Sequence, residues 1–223
     1  FCDWMLTGTN TSTGKSIGIG QNTLRTLGNY RRTGETTAIK GGKRSDGNGA
    51  IMRLAAVPCM HWQNVEKARS IAIAQSQCTH HSPLSEGCCD LMTFILCQLI
   101  SGKIWEQILP YPNKNNWLEE VSLLSSCNWR DKSEEEVQST GYVIHTLEAA
   151  LWCVDTTNSF QDAVLRAVNL GEDADTVGAV TGQIAGARYG IESIPDEWLS
   201  ELVDQPRIKT IAEIIFNRSL DLV

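Results

Sequence analysis

Asn169-Leu170-Gly171-Glu172-Asp173-Ala174-Asp175-Thr176-Val177-Gly178-Ala179-Val180 places three acids and a threonine within five residues, 172 to 176. The stretch lies between two segments of helical periodicity, Phe160–Val168 and Thr176–Tyr189. Carboxylates and a hydroxyl are hard oxygen ligands of the kind Mg²⁺ or Mn²⁺ takes. In a loop or first turn, Asp173 and Asp175 can flank an ion while Thr176 adds its hydroxyl. A second reading stands beside this one. Asp and Thr favour helix starts, where they accept free backbone N–H bonds and suit the dipole. Past the acids, Gly178, Gly182, Ala185 and Gly186 recur at spacings of three and four. Such a face would let the helix pack close to another backbone. That would hold the acidic start deep in the structure, where unpaired charge is costly without a cation.

Outward from this point the periodicity stays helical. Helices are expected at Gln21–Arg32, Asn64–Cys78, Leu84–Ile100, Trp117–Ser125, Val143–Cys153 and Ile208–Phe216. Ser82 or Ser85 would cap the Leu84 helix, and Gly102 would end it. Glu134-Glu135-Glu136 reads as a solvated helix face or helix start. No alternating strand of five residues stands out. The fold class is therefore all-α: a single compact multi-helix domain over residues 1–223. The exception to the helices is Ile39–Gly49, where four glycines make a loop. It runs on as Ser45-Asp46-Gly47-Asn48-Gly49-Ala50-Ile51-Met52-Arg53. Its backbone N–H groups suit a phosphate, although most such loops are only turns. Met52 reads as filler and Arg53 as a buried tether. Cys78-Thr79-His80-His81 and Thr140-Gly141-Tyr142-Val143 fall at helix junctions, where His80 reads as a cap or core histidine and Tyr142 as a core residue.

A net charge of -7 makes nucleic acid and anionic membrane poor partners. The eight cysteines show no CxxC pair, so free thiols and a cytoplasmic setting are expected, with no disulfides. The run Leu91–Ile100 is too short to span a membrane.

The acidic string, continued through Gly182-Gln183-Ile184-Ala185-Gly186-Ala187-Arg188-Tyr189-Gly190 to Ile194-Pro195 and Trp198, resembles the C-terminal signature of the ADP-ribosylglycohydrolase family. The glycine loop resembles that family's Ser-x-Gly-Asn-Gly-x-x-Met-Arg segment. The resemblance covers essentially the whole chain. It implies removal of ADP-ribose from modified protein side chains. It also implies Asp173, Asp175 and Thr176 as ligands of a pair of Mg²⁺ or Mn²⁺ ions. Ser45, Gly47, Asn48, Gly49, His80 and Tyr142 become ligand contacts. Many relatives carry Gly at Glu172, and often Asp at Gly18. The family's Thr-Asp-Asp triplet, which completes the metal site, does not occur here. The opening Phe1-Cys2-Asp3-Trp4 lacks Met, so an N-terminal section of the same protein is expected as a partner, without which activity would be low. A non-catalytic ADP-ribose binder, or a structural relative of the lens-crystallin kind, is the alternative.

Overall fold

The structure is a computed structural model that describes residues 1–41, 45–111 and 117–222. Within the expected loop, Gly42, Lys43 and Arg44 lie outside the described residues. Among the described residues there is no strand, and the one β-bridge pairs Gly47 with Tyr142. The all-α expectation holds.

Helix α6 (Pro83–Ile100) is the centre. Thirteen of its eighteen residues are buried, so it is apolar on nearly all sides and needs neighbours all round. It packs against α5 (Val65–Gln77), α7 (Glu119–Ser125), α8 (Val143–Asp155) and α10 (Ala174–Tyr189). By length and composition α6 could cross a membrane, yet its apolar window is 72% buried inside the protein. Burying each large aliphatic here, such as Leu91, Ile95 or Leu147, contributes about 1.5–3 kcal/mol. Ser82 starts α6, its hydroxyl accepting from the Ser85 amide at 3.2 Å, with Pro83 at the first helical position. The expectation of Ser82 as cap is met.

Asn64 caps α5 by accepting from Lys67 N at 3.0 Å. A buried ion pair then fixes α5 to α6: Arg69 donates from Nε and Nη2 to the two oxygens of Asp90 at 2.5 and 2.7 Å. Trp117 Nε1 adds a bond to Asp90 at 2.8 Å. A buried charge pair holds only when its remaining bonds are met, as here. The pair matters for the site because His80 follows directly on α5.

Helix α9 (Phe160–Asn169) runs into α10 through the acidic turn, and both pack on α8. Gly178 is the one tight point of the small-residue face: a Cβ there would meet Val168 at 2.9 Å. Gly182 faces open space and Gly186 makes ordinary contact. The helix is therefore seated by Val177, Val180, Ile184 and Ala185, with Gly178 the one glycine that admits a close approach.

Of the expected helices, the one at Trp117 begins later, as α7, and the one at Ile208 begins earlier, as α12 (Gln205–Leu220). Helix α2 (Gln21–Thr33) is nearly as expected. The short α1 (Cys2–Thr7), α3 (Gly49–Met52), α4 (Ala56–His61) and α11 (Asp196–Glu201) were not read from the sequence. Six residues or fewer give too little periodicity to see. Glu134–Glu136 is one 3-10 turn closed by a Ser133–Glu136 capping box. All eight cysteines are free, four of them buried.

Candidate active site

Asp173 is the residue just before α10, yet its side chain makes no capping bond. Its carboxylate turns sideways instead. Oδ2 accepts from Asn48 Nδ2 at 2.5 Å, and Oδ1 accepts from the Thr176 hydroxyl at 3.3 Å. Helix capping therefore does not account for Asp173. Asp175, by contrast, partly serves the helix start, accepting from Thr176 N at 2.9 Å. Asp175 is exposed and Asp173 half-exposed, so the acidic turn is not deep in the structure as expected. The reason is that α10 buries the opposite side, from Thr176 and Val177 onward.

The glycine loop reaches this turn through α8. Asn48 N donates to Gly141 O at 3.2 Å, and Val143 N donates to Asp46 O at 2.9 Å. Asn48 Nδ2 also donates to Thr146 Oγ1 at 2.8 Å, and Thr146 donates to Thr140 O at 3.0 Å. These bonds hold the Asn48 amide with its nitrogen toward Asp173. Gly141 lies against Asp173: a Cβ on it would come within 3.5 Å of Oδ2. Residues 98 and 125 apart in sequence are thus joined by one side chain.

Together these groups form one wall of a cleft of about 700 Å³. Gly47, Asn48, Gly49, His80, Asp173, Asp175 and Thr176, all expected site residues, line it. Two expected contacts do not. The Tyr142 ring packs edge-on against His145 with centroids 4.9 Å apart, and it is not part of the lining. Ser45 is buried in an adjoining pocket beside Thr79 and His81, with its carbonyl accepting from Ser85. Met52, expected as filler, is instead exposed in the cleft beside Thr176. Arg53 is a tether as expected, donating to Gly49 O, Gln75 Oε1, Gln75 O and Thr79 Oγ1 at 2.7–3.0 Å, but it is half-buried, not buried, and also lines the cleft. Other lining residues were missed: Phe1, whose ring lies against the Arg53 guanidinium at 5.0 Å, and Trp4, Gly18 and Gln21, none of which carries a local motif that chemistry would single out.

Carboxylates of Asp173 and Asp175 and the Thr176 hydroxyl are oxygen donors at one turn. No Lys or Arg among the described residues pairs with either acid, which leaves their charge open to a cation. The donor set fits a hard divalent ion. Among the described residues, no third Asp, Glu, His or Cys joins them in a ligand-like group.

The ADP-ribosylglycohydrolase family model matches residues 1–221. The chain belongs to the ADP-ribosylglycohydrolase family. Its similarity to the ADP-ribosylarginine hydrolase Tri1 of Serratia proteamaculans is 38% identity, over 96% of this chain and 58% of that protein. The same-named protein of Pseudomonas putida is 32% identical over 97% of this chain and 58% of its own length. The ADP-ribosyl-[dinitrogen reductase] glycohydrolase of Rhodospirillum rubrum is 30% identical over 84% of this chain and 61% of that protein. This family member therefore spans about 58–61% of the length of these relatives. A solved structure titled an ADP-ribosylglycohydrolase-related protein complex superposes with a TM-score of 0.81 at 30% identity. That match covers 90% of this chain and 69% of the other.

Proposed function

We propose that the cleft serves hydrolysis of the glycosidic bond between ADP-ribose and a protein side chain. The observation that carries this reading is the convergence of Asp173, Asp175 and Thr176 with Asn48 on one cleft wall. A purely structural protein has no need of two acids without a basic partner at one turn, one of them, Asp173, held by an asparagine 125 residues away. Arginine is the acceptor we favour, because two relatives at 38% and 32% identity are named ADP-ribosylarginine hydrolases.

Asp173, Asp175 and Thr176 would hold Mg²⁺ or Mn²⁺, as part of a two-ion site. When bound, such an ion would supply Lewis-acid stabilisation of ribose oxygens and a positioned water. This chain's own residues do the rest. Asn48 keeps Asp173 aimed at the cleft. The Thr176 hydroxyl holds the second carboxylate oxygen. Gly47 and Gly49 leave room for the His80 ring against the loop, since a Cβ on either would come within 3.2 Å of it. The eight free cysteines support a reducing, cytoplasmic setting.

The test uses a protein ADP-ribosylated on arginine and measures released ADP-ribose with Mg²⁺, with Mn²⁺ and after chelation. Asp173→Asn should lower the rate on the order of 10²–10³-fold, the scale of losing several kcal/mol of metal-side stabilisation. Full rate after chelation, or in Asp173→Asn, would leave this reading without support. Binding of ADP-ribose with no turnover under any condition would favour the non-catalytic relative.

A further inference from the structure

We propose that Arg53 and Thr79 form a relay that fixes His80 in a single tautomer, with its Nε2–H presented to an acceptor oxygen of the ligand. Only the identity of the ligand rests on the function proposed above. Guanidinium groups donate and never accept. Arg53 Nη2 donates to Thr79 Oγ1 at 2.7 Å and to Gln75 O at 2.9 Å. Thr79 Oγ1 is thereby an acceptor, and its own hydrogen needs a partner elsewhere. His80 Nδ1 lies 2.7 Å away and is that partner among the described residues. Thr79 is only 2% exposed, so bulk water offers no substitute. Were Nδ1 protonated, a buried hydroxyl hydrogen would have no acceptor, which native structures avoid. Nδ1 therefore accepts, and Nε2 carries the proton.

The protonated edge faces the glycine loop. A Cβ on Gly47 would stand 3.2 Å from Nε2, and one on Gly49 would stand 3.3 Å from it. His80 lines the cleft, and Nε2 has no protein partner among the described residues. The backbone is fixed as well: His80 N donates to Ser76 O at 2.7 Å, and Ser76 Oγ donates back to His80 O at 2.9 Å. Desolvation by burial, and then the charge of Arg53, hold the imidazole down to about 4, so the ring is neutral near pH 7. The cleft receives a fixed neutral donor and not a cation. Arg53 and Thr79 are positioning residues.

The experiment labels histidine with ¹⁵N and records long-range ¹H–¹⁵N correlations of the ligand-free protein near pH 7, with His80 assigned through His80→Gln. We expect a protonated Nε2 and a bare Nδ1; protonated Nδ1 overturns the relay. Thr79→Val should give mixed tautomers and weaken ADP-ribose binding about threefold to tenfold, the scale of one well-aimed hydrogen bond. Thr79→Ser should restore both. A folded Thr79→Val protein with the wild-type tautomer and affinity would refute the relay. If wild type shows the Nε2–H form yet does not bind ADP-ribose, the relay stands and the reading of the cleft falls. If it binds ADP-ribose with Nδ1 protonated, the reverse holds.

Discussion

Helices α8 and α12 are of similar length but differ in how they are held. Eleven of the thirteen residues of α8 are buried, whereas α12 buries one of sixteen, Ser219. Ile208, Ile211, Ile214, Phe216 and Leu220 of α12 are exposed. Helix α12 rests mainly on α4, with Trp62 Nε1 donating to Ser219 Oγ at 3.2 Å. The cleft repeats this contrast with other elements. Its acidic wall grows out of α8 and α10, through Thr146, Asn48 and Asp173. Phe1 and Trp4, which also line the cleft, come from the start of the chain at α1, a helix with no buried residue. The difference teaches that the chemistry-bearing groups are set by the densely packed half. The thinly packed half can shape the cleft but cannot fix a side chain as firmly.

Paired truncations test this most directly. Leu147→Ala on α8 should cost about 2–5 kcal/mol of stability, since a fully buried side chain leaves a cavity. Ile211→Ala on α12 should stay within about 0.5 kcal/mol. Denaturant midpoints at constant slope measure both. Equal losses would show that the α12 face is covered in solution, and the contrast between the helices would disappear.

A pH series sharpens the comparison at the floor of the cleft. His80 in the fold takes up a proton only near pH 4, while in the unfolded chain it does so near 6.5. Below pH 6.5 the unfolded state binds more protons, so stability falls as pH drops from 6.5 toward 4 and is fully kept above 6.5. The loss should reach up to ~3 kcal/mol at the rate of 1.36 kcal/mol per pK unit. His80→Gln should flatten that part of the curve relative to wild type. An unchanged slope would mean that the imidazole is already solvated in the fold.

Two glycines give the smallest effect and the finest comparison. A Cβ on Gly49 would lie 2.9 Å from His80 Cε1, so Gly49→Ala should displace the ring and weaken ADP-ribose binding. Gly182 sits in α10 with nothing within 4 Å, so Gly182→Ala should raise stability by about 0.4–1 kcal/mol and leave binding unchanged. Titration with ADP-ribose and thermal melts separate the two. Gly182→Ala behaving like Gly49→Ala would put an unseen neighbour against α10.

The sequence by itself determined the helical class and most long helices, because periodicity over ten or more residues reports which face is buried. It also placed the acidic turn and the glycine loop, whose residue types carry their chemistry wherever they sit. Asp173 was legible in that sense, and so was the tether role of Arg53. Other things depended on which elements meet in space. Only the tertiary structure decided that Asp173 answers to Asn48 and not to its own helix, since that bond joins residues 125 apart. Tertiary packing likewise opened Met52 to the cleft beside Thr176. It also brought Phe1 and Trp4 into the same cleft as the acids. A local pattern encodes what a side chain can do, while its partner is set by packing between segments that no local window contains.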